Sequence, residues 1–310
     1  MAAQVVRTAP TRPAASRTGR LRTREALYFH LFLLPWMIGF LSFVVYPVLA
    51  SLYFSFTQYN ILQPPHWIGL ANYRHLLTSQ LFWKSLEVTL YYTLLALPCT
   101  LLLGLLVAAL LNLRVRGLRV LRTVYYLPTL IPPVAGALLW TWLLNPQFGL
   151  IDYVLQRAFH IHGPAWLASP TWVIPAIALM SLWGFGGSMV IYLAAMQGIP
   201  QEYYEAAQID GASPRHLLWR ITLPMLTPVI FFTIILGLIG SFQIFTQVYV
   251  LTQGGPDYAS YFYNLYLYEN AFNYFKMGLA SAQAWILFII ILGCTLVLFR
   301  SSALWVHYDH

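Results

Sequence analysis

An all-α integral membrane protein with six transmembrane helices is predicted by three properties of this 310-residue chain. Hydrophobic residues make up 59% of it and charged residues only 8%, whereas a soluble domain carries about 25% charged residues. Six apolar runs are each long enough to cross a hydrocarbon core of about 30 Å. The segments between them alternate between rich and poor in Lys and Arg.

Taken in order, residues 1–25 form a basic tail, expected to be disordered and cytoplasmic. It holds Arg7, Arg12, Arg17, Arg20, Arg22 and Arg24. Its Arg-rich, acid-poor start has the composition of a transit peptide. However, a long apolar run follows directly and no small-residue cleavage site precedes it. The first span, 26–56, lies in the charge-free interval between Glu25 and Arg74. An external loop, 57–87, leads to a five-helix core at 88–299, with runs at 88–112, 123–145, 171–199, 223–252 and 277–299. A short tail, 300–310, closes the chain. A charge at mid-span costs roughly 2.5–3.5 kcal/mol on insertion scales, and every charged residue lies outside these runs or at their rims. The N-terminal tail with segments 113–122, 196–222 and 300–310 holds 13 of the 17 Lys and Arg residues. The positive-inside rule therefore puts both termini in the cytoplasm, in keeping with an even number of spans. This topology accounts for the net charge of +8, so no nucleic-acid partner is needed.

Several functions are disfavoured. A P-loop needs a Lys closely preceded by glycine, and Lys84 and Lys276, the only lysines, have no such setting. Proton-coupled carriers hold ionisable residues at depth, and the runs contain none; His30 lies at the tail end of the first. Cys99 and Cys294 fall in apolar runs as expected buried thiols, without disulfide or metal-ligand spacing. No metal site and no catalytic constellation is present. The energy source is expected on another polypeptide, a stand-alone secondary carrier or channel being the alternative.

The most informative stretch is the cytoplasmic loop 200–224. Pro200 suits a first helical turn, and Glu202 and Glu205 complement that helix N-terminus. Gly211 supplies a left-handed stop. Ser213 caps a second helix with Pro214 in its first turn. Ala206, Ala207 and Ala212 leave room for another backbone, and Pro224 with Pro228 marks a possible flexing point. Glu205-Ala206-Ala207, three residues, Gly211, nine residues, then Ile221-Thr222-Leu223-Pro224 resembles the EAA signature of ATP-binding-cassette (ABC) importer permeases. Gly69-Leu70-Ala71-Asn72-Tyr73, Tyr126-Leu127-Pro128, Leu251-Thr252-Gln253-Gly254-Gly255-Pro256 and Phe275-Lys276-Met277-Gly278 resemble the carbohydrate-type, maltose-permease-like branch. Leu218 departs from the family's usual aromatic, although Trp219 follows.

The resemblance implies the type I ABC-importer transmembrane fold in a bacterial inner membrane. It also implies a second homologous permease, an external solute-binding protein and a sugar, polyol or sugar-phosphate substrate. ATP and Mg would sit on a partner ATPase dimer, with no cofactor in this chain. The ATPase would engage Glu202, Tyr204, Glu205, Ala206, Ala207, Asp210, Gly211 and Ala212. By the same analogy Thr129, Trp183, Gly187, Ser241 and Ile244 would line the pathway. Gln243 and Gln247 join them as a polar line at i, i+4 on span five. For Gly187 and its neighbouring glycines close helix packing is the competing role, and for Trp183 core or lipid-belt packing. Turn chemistry at Gly254, Gly255 and Pro256 suits contact with the binding protein.

Overall fold

A computed structural model describes the backbone of residues 17–113 and 117–307, and the side chains from residue 28 onward. The chain divides into two units at Tyr53.

The first unit is one long apolar helix. Helix α1 (Arg17–Phe40) passes through a five-residue π-type stretch, Leu41–Val45, into α2 (Tyr46–Ser55). Tyr28–Ser55 is long and apolar enough to cross a membrane, and none of its most apolar window is buried. A helix apolar all round with no buried face has lipid or another subunit as its solvent. Residues 17–25, expected to be disordered, belong to this helix, because Arg and Leu are good helix formers. The rest of the tail lies outside the described residues.

The second unit begins with a two-residue hairpin, β1 (Thr57–Gln58) against β2 (His66–Trp67). Helix α3 (Ala71–Thr78) follows. Asn72 Nδ2 donates to the carbonyls of Ser55 and Thr57, both at 2.9 Å. The Gly69–Tyr73 motif thus closes the end of α2, with Gly69 at φ +61° where an L side chain is strained. Helix α4 (Gln80–Leu111), capped by Ser79, is the central post. Then come α5 (Leu118–Tyr126), a 3₁₀ turn at Leu127–Leu130, α6 (Pro133–Leu143), α7 (Leu150–Phe159), α8 (Val173–Leu182) and α9 (Gly186–Gln197). The remainder is α10 (Gln201–Ile209), α11 (Pro214–Leu217), a π-type stretch at Leu218–Thr222, α12 (Leu223–Phe242), α13 (Thr246–Leu251), α14 (Tyr263–Tyr268), a π-type stretch at Glu269–Asn273, and α15 (Met277–Ser302).

Helices α8, α9 and α12 pack on α4. A Cβ on Gly104 of α4 would stand 2.3 Å from Ser188 Oγ and 3.2 Å from the backbone of Met189. The small residue therefore sets the approach of α4 to α9, the usual device where lipid removes the hydrophobic drive between helices. One core cluster, with Phe82, Tyr92, Ile177, Phe242 and Tyr261–Tyr263, fills the end beside α14. A second, with Leu111, Met189, Tyr192 and Leu226, fills the end beside α10.

Four helices of the described chain can cross a membrane singly, and two bent pairs bring the number to six if each pair is one span. The predicted single runs at 123–145 and 171–199 are the bent ones. The first turns by 99° between Leu130 and Pro133, and the second by 42° between Leu182 and Gly186. Pro132 and Pro133 remove two backbone donors, and Gly184 lies inside the second break. Pro224 and Pro228 differ from expectation in the other direction. Proline at 228 frees the carbonyl of Pro224, and Thr227 Oγ1 donates to that carbonyl at 2.6 Å, so α12 runs on. Its interruption comes later, at Gln243–Phe245. Cys99 is exposed and Cys294 half-buried, which corrects the expectation of buried thiols; both lie on helices long and apolar enough to cross a membrane.

Candidate functional site

The loop at 200–224 forms two short helices around a sharply defined stop. Pro200 stands one residue before α10, with φ −57° and ψ 133°, outside the first turn where it was expected. Gly211 takes φ +78°. Its N–H donates to the Gln208 carbonyl at 3.0 Å, and the Ala212 N–H to the Ala207 carbonyl at 2.9 Å. This pair is a Schellman motif, which satisfies the last carbonyls of α10. Ser213 Oγ accepts from the His216 N–H at 3.4 Å to start α11. Glu202, Glu205, Ala206, Asp210 and Gly211 are exposed, while Tyr204, Ala207 and Ala212 are half-buried. The apolar side chains of Tyr203, Ile209 and Trp219 are also exposed, Ile209 by 87%. Leu218, in the family's aromatic position, is half-buried. The Tyr204 hydroxyl lies 3.0 Å from Thr222 Oγ1 and fastens α10 to the base of α12.

A cavity of about 820 Å³ opens between α4, the break in span three, the α8–α9 break and the α12–α13 break. Thr129, Trp183, Ser241, Gln243, Ile244 and Gln247 all lie on its wall. Gly187 does not; a Cβ there would meet nothing within 4 Å. At Gly186 a Cβ would stand 2.3 Å from the Tyr125 carbonyl, so the packing role belongs to Gly186. The helix breaks explain how these side chains converge. Trp183 ends α8 with its ring 6.0 Å from that of Trp140, and Gln243 and Gln247 flank the end of α12 rather than sharing one helix face.

Hydroxyls complete the wall. Tyr92 OH and Ser181 Oγ are 2.6 Å apart, and Thr100, Ser188 and Thr233 join them. Sequence reasoning missed this side. Tyr92 and Thr100 come from α4, whereas Ser181, Ser188 and Thr233 come from α8, α9 and α12, so no single apolar run carried the signal. Among the described residues the wall carries no Asp, Glu, Lys, Arg or His. Such a surface has neutral hydrogen-bonding groups and an indole to offer a guest, and no countercharge.

At the other end of the unit, residues 252–276 form a folded lobe. Gly254 is buried with φ +87°, and a Cβ there would stand 2.5 Å from the Tyr261 ring. Gly255 and Pro256 are half-buried, and the exposed positions of the turn are Gln253, Asp257 and Tyr258. Tyr261 donates its phenol proton to Glu269 Oε2. Burial, reinforced by that carboxylate, pushes the Tyr261 phenol above its ordinary range, so the donor stays protonated. Tyr263 donates from its N–H to Thr89 Oγ1 at 2.9 Å and from its hydroxyl to the Gln283 carbonyl at 2.8 Å, and so pins the lobe to α4 and α15.

The sequence model of the family described as "Binding-protein-dependent transport system inner membrane component" matches residues 100–306. The Bacillus subtilis (strain 168) probable ABC transporter permease protein YesP is 40% identical, covering 95% of this chain and 96% of that protein. The trehalose/maltose transport system permease protein MalF of Thermococcus litoralis is 33% identical, over 90% of this chain and 95% of its own. In three dimensions the chain is similar to a crystallised bacterial ABC transporter involved in import of the acidic polysaccharide alginate. That match has a TM-score of 0.81 and 26% identity, and covers 93% of this chain and 99% of the other.

Proposed function

The chain belongs to the family of binding-protein-dependent inner-membrane transport components, and from that premise we propose that it carries an uncharged sugar into the cytoplasm by alternating access. It is a multi-pass, non-catalytic permease subunit of the type I fold. Membership in that family is inconsistent with a carrier or channel working alone. The observation that carries the sugar reading is the cavity wall of hydroxyls, amides and Trp183 without a charged side chain. A sugar phosphate or uronate entering it would lose water without gaining a countercharge from this chain. The sugar named for the Thermococcus protein supports the same class.

In this reading an external binding protein delivers the sugar at the lobe 252–276, touching Gln253, Gly255, Pro256, Asp257 and Tyr258. A second permease completes the pathway. An ATPase dimer, holding ATP and Mg, receives the exposed face of α10 with Glu202, Glu205, Ala206, Asp210 and Gly211. Tyr204, Ala207 and Ala212 shape that helix from behind. The excess of Lys and Arg keeps both termini on the ATPase side.

Purification from the native membrane, followed by reconstitution in proteoliposomes, tests the proposal. An ATPase, a second permease and a binding protein should copurify, and labelled neutral sugar should accumulate only with ATP. Excess sugar phosphate or uronate should compete poorly. Uptake by this chain without ATP, or preferential uptake of the anionic sugar, would overturn it.

A further inference from the structure

Four aromatic rings connect the cavity to the exposed surface of the lobe. Phe245 lies on the cavity wall. Its ring centroid is 4.9 Å from that of Tyr268 and 5.4 Å from that of Tyr249. Tyr249 and Tyr268 are themselves 5.4 Å apart, and Tyr268 is 5.1 Å from Phe272. Exposure rises from Phe245 and Tyr268, both half-buried, to Phe272 at 55%, with Tyr249, 41% exposed, beside the inner pair. Glu269, the charged residue between Tyr268 and Phe272, is engaged by Tyr261.

We propose that this ladder is a second, transient sugar-binding site, a stacking path along which the rings of a saccharide pass into the cavity. The proposal rests on the sugar reading above and adds the route. A pyranose presents C–H groups on its flat faces, and the negative face of an aromatic ring attracts them. Stacking is tolerant of ring identity, as it is where single-stranded nucleic acids slide over aromatic platforms. Rings at steps of about one ring width let a chain advance without releasing every contact at once. The continuity with the cavity favours a sugar over a docked protein, because the inner end of the ladder is part of the cavity's own wall.

The test uses the full transporter in proteoliposomes, with liganded binding protein at a concentration that just saturates the wild type. Tyr268→Ala and Phe272→Leu should each slow uptake of a neutral oligosaccharide, on the order of tenfold, while monosaccharide uptake changes little. ATP hydrolysis should continue, so sugar moved per ATP falls. Tyr268→Phe and Phe272→Trp keep a π face and should restore uptake. Phe272→Leu keeps the apolar bulk, which separates stacking from packing. The idea is overturned if uptake is unchanged. It is equally overturned if the variants lose the second permease on purification, or if raising the binding-protein concentration rescues them, since the face would then be a protein interface. A wild-type complex that imports no sugar would instead defeat the function proposed above.

Discussion

Gly211 shows how much depends on one backbone angle. At φ +78° an L residue costs about 1–2 kcal/mol, and Asn is the usual exception. A Cβ there would meet nothing within 4 Å, so the penalty is conformational and falls on the Schellman stop. Gly211→Val should abolish uptake, whereas Gly211→Asn should keep most of it, with sugar capture by the binding protein unchanged in both. Radiolabelled uptake beside a binding-protein titration reads the difference. This glycine was legible because a helix stop is local chemistry, written within a few residues. Gly186 and Gly187 were indistinguishable in sequence. Only the approach of Tyr125, some sixty positions away, assigns tight packing to one and open space to the other.

At the scale of elements, α10 transmits motion to the membrane only if it is tied to a span, and the Tyr204–Thr222 hydrogen bond is such a tie. A neutral hydrogen bond contributes about 0.5–1.5 kcal/mol net. Tyr204→Phe should therefore lower sugar moved per ATP by about twofold to tenfold, while the complex assembles and hydrolyses ATP; a phosphate-release assay run beside uptake measures the ratio. The C-terminal segment is tied separately to the same span, α12. Its Trp305 ring lies 5.9 Å from Phe231, and the His307 N–H donates to Thr227 Oγ1 at 2.9 Å. Sequence periodicity could not show either contact, because each joins positions far apart. Hydropathy located the spans but is blind to direction, so it read 123–145 as one straight run despite Pro132 and Pro133. The same blindness concealed the break at Gln243–Phe245, which turns two glutamines into a shared wall. The Thr227 hydroxyl that stiffens the proline region of α12 was hidden in the same way.

Over the whole molecule, lipid embedding was written in bulk composition, and the two-helix loop at 200–224 in its caps and motif spacing. The cavity was half legible. Residues on the broken spans were identifiable by analogy, while the hydroxyl wall shared by α4, α8, α9 and α12 emerged only when the helices were packed. That wall, and the spans themselves, hold no charge at depth. One elementary charge crossing the full field is worth about 2.3 kcal/mol per 100 mV. A neutral guest moved by neutral helices has nothing for that field to act on. Uptake in vesicles should therefore proceed at the same rate when a potassium diffusion potential of either sign is imposed. A voltage-dependent rate would reveal a charge that moves with the sugar. Import by such a machine would persist in a depolarised cell for as long as ATP lasted.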